Sequence, residues 1–144
     1  KAGMPVMLAG MAGLTAAVRQ LIIGHEQRWE VPIEAELEDV GRPAGQAMLY
    51  RAARELLVNA VKHARARRLR VRLRRDGDVV TLLVADDGIG FDPETLPDRV
   101  AEGHIGLASL VAGIEAMGGS VRLDTAPGAG TAVTVTLATP TPPR

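Results

Sequence analysis

Four short segments of the chain carry groups that could act on a ligand. The first is Glu55-Leu-Leu-Val-Asn59-Ala-Val-Lys62-His63-Ala64. On a helical wheel turning ~100° per residue, Arg51, Glu55, Asn59, Lys62 and His63 fall on one arc, opposite an apolar arc of Leu49, Ala53, Leu56, Leu57, Ala60, Val61 and Ala64. A carboxylate, an amide, an ammonium and an imidazole are thereby lined up along one side of a helix. The same spacing would equally serve a solvated face stabilised by a ladder from Glu55 through Asn59 to His63.

The second segment is Asp86-Asp87-Gly88-Ile89-Gly90-Phe91, directly after the apolar run Val79 to Ala85. A carboxylate at the end of a strand can accept a hydrogen bond from a ligand amine, and Gly88 and Gly90 let the backbone come close to a flat ring. Read blandly, the same residues make a turn. In the third, Gly103-His104-Ile105-Gly106-Leu107, the first N–H groups of a following helix have no partner within the helix, and its dipole favours an anion there. There is no G-x-x-x-x-G-K-[ST] segment, so this is not a Walker-type phosphate loop. The fourth, Gly130-Thr131, opens the last apolar alternation and by itself says little.

Positioning these segments requires a particular set of elements. Leu14, Val18, Leu21 and Ile22 predict a short helix stopping at Gly24, and the alternation from Trp29 to Glu38 predicts a half-buried strand. A helix of about five turns is expected from Ala44 to Ala64, where only Gly45 would interrupt it. Arg68 to Arg75 and Val79 to Ala85 alternate on either side of Asp76-Gly77, a hairpin signature. Residues 86–106 lack a lasting period and read as a long functional loop, with its lid from Phe91 to Glu102. A helix follows from Gly106 to Met117, ended by Gly118-Gly119. Strands Ser120 to Asp124 and Thr131 to Ala138 then flank the turn at 127–130. This order predicts an α+β fold, a two-layer sandwich with helices packed on one face of a mixed β-sheet. Residues 1–138 are expected to form a single domain, and 139–144 a frayed Pro-rich tail.

Composition narrows the possibilities. The 144 residues include 17 basic and 17 acidic side chains, no cysteine and only three aromatic residues. The core must be aliphatic, and a disulfide framework, a thiolate metal site and a thiol nucleophile are excluded. Net neutrality argues against nucleic acid as a partner. The arginines from Arg65 to Arg75 do not change that, because they lie along the solvent face of a strand with no aromatic residues between them. The uncharged run Gly3 to Val18 is too short to span a membrane, which takes ~20 apolar residues. A start at Lys rather than Met reads as a piece cut from a longer chain.

Taken in order, the four segments resemble the N, G1 and G2 boxes and the closing Gly-Thr of the GHKL ATPase superfamily, which includes histidine kinases, gyrase, Hsp-ninety-type chaperones and MutL-type repair proteins. The resemblance implies the Bergerat ATP-binding fold and covers nearly the whole chain. Asn-Ala-x-Lys-His-Ala at 59–64, Gly-His-x-Gly-Leu at 103–107 and Gly118-Gly119 are most similar to NarL-associated sensor kinases of the NarX, DesK and NreB kind. By that resemblance, Asp86 binds the adenine amino group, Gly88 and Gly90 accommodate the ring, and Thr131 reaches it through water or its hydroxyl. Asn59 holds Mg²⁺ bridging the phosphates of ATP. Lys62, His63, Gly103, His104, Ile105, Gly106 and Leu107 contact those phosphates. Glu55 is the candidate catalytic residue, as general base, polariser of the acceptor or support for Mg²⁺.

The resemblance further implies transfer of the γ-phosphoryl group to a histidine on a helical dimerisation domain absent here, with a response regulator bearing a NarL-type output domain as downstream partner. It places this part of the protein in the cytoplasm, with a sensor region that can be membrane-bound. His25 reads as a surface residue and His104 as a lid residue; neither reads as the acceptor. The rival readings are an ATPase that drives conformational change and a nucleotide-insensitive module that binds partners.

Overall fold

The computed structural model describes residues 13–62, 65–90, 92, 94 and 105–139. In chain order the elements are α1 (Leu14–Trp29), β1 (Ile33–Leu37), α2 (Gln46–Lys62), β2 (Leu69–Asp76), β3 (Val79–Asp86), α3 (Ile105–Ala116), β4 (Ser120–Thr125) and β5 (Thr131–Ala138). The strands form one mixed sheet in the order β1-β2-β3-β5-β4, parallel between β1 and β2 and antiparallel elsewhere.

Alternation along each strand decides which face the helices cover. Leu69, Val71 and Leu73 of β2 are buried, as are Val80, Leu82 and Val84 of β3 and Val133, Val135 and Leu137 of β5. Against them pack Leu49, Leu56 and Leu57 of α2, Leu14 and Val18 of α1, and Leu110 and Ile114 of α3. The other face is open: Arg70 pairs there with Glu34 at 3.7 Å, and Glu36 is shared by Arg72 at 3.0 Å and Arg74 at 3.6 Å. The arginine alternation is thus used to meet carboxylates on the neighbouring strand. This is the expected two-layer α+β sandwich.

Several local expectations are corrected. Helix α1 does not stop at Gly24 but runs to Trp29, where Glu30 takes the left-handed conformation (φ 55°) and donates its N–H to Glu26 O at 2.9 Å. Gly24 is exposed with open space around it, so it costs the helix some propensity without ending it. The strand after it is correspondingly shorter, because Trp29 belongs to the helix. His25, expected at the surface, extends the buried stripe of Leu14, Ala17, Val18 and Ile22 and is 7% exposed. The β2–β3 turn is centred on Gly77-Asp78, since Asp76 still pairs with Val79. Thr139 is buried, donating its N–H to Asp78 O (2.5 Å) and accepting from Arg75 Nη2 (2.8 Å). Residues 140–144 of the expected tail, and most of the lid, lie outside the described residues.

Candidate functional site

Strand register assembles one end of the sheet from residues far apart in the chain. Two successive cross-strand rows on the helix-covered face are apolar throughout: Leu37, Leu73, Leu82, Val135 and Val121, then Ala35, Val71, Val84, Val133 and Leu123. The next and last row reads Ile33, Leu69, Asp86, Thr131 and Thr125. The core face thus turns polar at the strand ends, on the three strands farthest from β1. Asp86 and Thr131 are direct cross-strand partners there.

The two adjacent aspartates are separated by their surroundings. Asp86 is half-buried, and its Oδ1 accepts the N–H of Gly88 at 2.8 Å. Burial pushes its carboxyl above the usual carboxylate range. The N–H groups of Gly88 and Thr131 act against that, and the neighbouring Asp87 charge adds to it. Asp87 points outward, and its Oδ1 accepts the N–H groups of Arg67 (2.8 Å) and Arg68 (3.0 Å), bonds that hold its carboxyl below the usual range. Asp87 therefore ties the start of β2 to the end of β3. Asp86 stands instead at the end of the sheet, opposite Thr131.

Close packing of two turns builds the floor beside Asp86. Gly128 donates its N–H to Ile89 O at 2.6 Å. A Cβ on Gly90 (φ 62°) would run into the carbonyl oxygens of Ala126 and Gly130, and one on Gly130 (φ 73°) into that of Asp86. Both glycines are demanded by the chain's own backbone. The Ile89 side chain is left 48% exposed beside them. Thr125 Oγ1 donates to Gly130 O (3.0 Å) and lies 2.9 Å from Thr131 Oγ1. With the Thr125 proton so used, the Thr131 hydroxyl donates to Thr125 and keeps acceptor lone pairs for a ligand or water.

Helix α2 brings the other groups to this end. Its last residues lead into the 65–68 segment that Asp87 holds, and its buried arc of Leu49, Tyr50, Ala52, Ala53, Leu56, Leu57 and Ala60 turns Glu55 and Asn59 to a half-exposed position, with Lys62 exposed. Helix α3 runs antiparallel to α2: Gly45 lies against the Met117 methyl, Met48 against Gly113, and Arg51 Nη2 donates to Ser109 Oγ at 3.1 Å. Continued by one turn, this register carries Glu55 level with the first turn of α3, Ile105 to Leu107, whose N–H groups have no acceptor within the helix. The Leu107 side chain is 6% exposed, so only its backbone can face a ligand. Gly103, His104 and His63 lie outside the described residues, as do the side chains of Ile105 and Gly106.

The fit to a nucleotide and its metal can be tested on these groups. Among the described residues no three His, Cys, Asp or Glu side chains converge to cage a metal ion. Asn59, with the carboxylate of Glu55 one turn away, matches a hard cation held chiefly by phosphate oxygens and water. Sequence reasoning missed the Arg51–Ser109 contact and the structural work of Asp87, since both depend on partners distant in the chain.

Both the sequence and the fold have counterparts among known proteins. Residues 44–141 match the family model "Histidine kinase-, DNA gyrase B-, and HSP90-like ATPase". The chain is 39% identical over 107 residues to the sensor histidine kinase NarS of Mycobacterium tuberculosis, covering 74% of this chain and 25% of NarS. It is 32% identical over 124 residues to the sensor histidine kinase ComP of Bacillus subtilis, covering 82% of this chain and 16% of ComP. The chain thus spans a quarter or less of these relatives. In fold it is similar to the histidine kinase domain of the Erythrobacter litoralis EL346 blue-light activated histidine kinase, with TM-score 0.67 and 21% identity, covering 88% of this chain and 61% of that one.

Proposed function

Because the chain belongs to the histidine kinase-, DNA gyrase B- and HSP90-like ATPase family, we propose that it is the Mg-ATP-binding catalytic part of a sensor histidine kinase of the NarX-like group. It supplies the γ-phosphoryl group to a histidine on its own helical dimerisation domain, from which a response regulator with a NarL-type output domain receives it. Residues 1–138 act as one cytoplasmic unit of a longer protein whose sensor region can be membrane-bound.

The observation that carries the reading is the polar end of an otherwise apolar sheet face, where Asp86 stands beside Thr131. Asp86 Oδ2 accepts an N–H of the adenine amine, while Gly88 fixes the carboxylate through Oδ1. The Thr131 hydroxyl accepts from a water on the ring, and the packed Gly90 and Gly130 turn leaves room for a flat base. Asn59 holds Mg²⁺, with Glu55 supporting it. Lys62, His63, Gly103, His104 and the N–H groups of Ile105, Gly106 and Leu107 bind the phosphates. When bound, Mg²⁺ neutralises charge on the phosphates, and the protein's share of phosphoryl transfer is positioning and electrostatic complementarity.

Calorimetric titration with Mg-ATP tests this. The Asp86→Asn variant must keep its amide oxygen on the Gly88 N–H, which turns its NH₂ toward the ligand amine and sets donor against donor. Affinity is expected to fall by at least about tenfold, the value of one hydrogen bond with an unpaired remainder. Binding unchanged by the substitution would remove Asp86 from the site. No binding by the parent chain at millimolar nucleotide would leave a partner-binding module as the better account.

A further inference from the structure

Arg51 stands one turn before Glu55 on the polar arc of α2, a spacing at which arginine and glutamate side chains can reach each other. Here they do not pair. The Arg51 guanidinium crosses to α3, where Nη2 donates to Ser109 Oγ at 3.1 Å. Among the described residues the Glu55 carboxylate has neither an ion pair nor a hydrogen bond. Arg51–Ser109 is also the one side-chain hydrogen bond between α2 and α3 among those residues. The contacts that precede it along α2, Met117 on Gly45 and Met48 on Gly113, are apolar and flexible. Such contacts set the separation of two helices but resist sliding poorly. A directional bond between a guanidinium and a hydroxyl resists sliding along the axis.

We infer that Arg51 and Ser109 are a positioning pair for the phosphate end of the nucleotide site. Ser109 draws the guanidinium off Glu55, which leaves that carboxylate without a cationic partner among the described residues. Through the same bond, the first turn of α3 is held level with Glu55 and Asn59. The inference rests on the nucleotide reading above. It assigns the pair no contact with the base, because Asp86, Thr131 and the Gly90 turn are built on strand ends and do not depend on α3 for their geometry.

The test is calorimetry of the chain with Mg-ATP and, separately, with adenosine, on the parent, Ser109→Ala, Ser109→Thr, Arg51→Ala and the Arg51→Ala/Ser109→Ala double variant, with thermal melting of each. Ser109→Ala is expected to weaken Mg-ATP by roughly tenfold, the size of one charge-assisted hydrogen bond, while adenosine stays within about twofold. Ser109→Thr keeps the hydroxyl and should retain parental affinity. In the Arg51→Ala background, Ser109→Ala should cost nothing further. Equal losses for Mg-ATP and adenosine would show a merely structural contact and overturn the inference. So would additive losses in the double variant, or affinities unchanged by Ser109→Ala while Asp86→Asn still abolishes binding. A parent chain that binds neither ligand overturns the nucleotide reading and this inference together.

Discussion

Asp86 and Asp87 are consecutive carboxylates with opposite tendencies, and that opposition can be measured. Burial raises the Asp86 carboxyl in the folded chain, so the fold holds that proton more tightly than the unfolded chain does. Its contribution to stability therefore declines as pH rises from the ordinary aspartate value through the raised one. Asp87 is lowered by the N–H groups of Arg68 and Arg67, so its contribution is present above the ordinary value and is lost as pH falls through the lowered one. Thermal melts from acid to neutral pH should show Asp86→Asn melting no lower than the parent at neutral pH, and Asp87→Asn losing part of the parent's acid-induced destabilisation. A variant of Asp86 that melted well below the parent would mean that the carboxylate stabilises the fold.

His25 titrates in a different window. Its Nε2 lies 3.1 Å from Leu57 O, an acceptor, so that nitrogen carries a proton, and burial is the main cause that depresses its pKa, with Arg28 adding to it. The neutral ring is favoured in the fold, so stability is full above the unfolded value, about 6.5, and falls as pH drops through it toward the lowered one. His25→Gln, which can still donate to Leu57 O, should flatten the melting temperature between about pH 7 and 5. An equally steep fall in the variant would assign the effect to other groups.

At the scale of elements, two kinds of glycine predict opposite results. Gly24 lies in the exposed interior of α1 with open space where a Cβ would stand, so Gly24→Ala should raise stability by about 0.5–1 kcal/mol. Gly90 combines positive φ with a backbone collision for any Cβ, so Gly90→Ala should cost at least about 1–3 kcal/mol and weaken adenosine as well as ATP, since the floor of the site moves. Denaturant titration reads both. Gly118 illustrates why a glycine can be read as a stop in one helix and not in another. There the N–H groups of Gly118 and Gly119 return to Glu115 O and Ile114 O, and this pair of bonds closes α3. Gly24 has no such closure, and the buried stripe continues past it to His25.

For the molecule as a whole, Arg75 joins parts of the chain that the sheet alone leaves apart. Its guanidinium donates to Gly77 O (3.1 Å), Val40 O (2.9 Å) and Thr139 O (2.8 Å), joining the segment after β1, the β2–β3 turn and the end of β5. A chain ending at Ala138 should lose about 1–3 kcal/mol relative to one ending at Thr139, because Arg75 and Asp78 O both lose a partner. Equal melting of the two truncations would show that solvent replaces these bonds without cost.

Much of this architecture is legible in the order of the amino acids. Period-2 alternation marks β2, β3 and β5, the wheel of α2 separates its apolar arc from Glu55 and Asn59, and the order of the four glycine- and carboxylate-bearing segments points to the family. Such signals lie within single elements, because the pleat and the helical repeat are local properties of the backbone. What depends on register between distant strands and helices is not written there. The row Ile33, Leu69, Asp86, Thr131 and Thr125, the collisions that require Gly90 and Gly130, the burial of His25 and the meeting of Arg51 with Ser109 are all of this kind. Each joins residues well separated in the chain, and only the packing of the helices onto the sheet sets the distances between them.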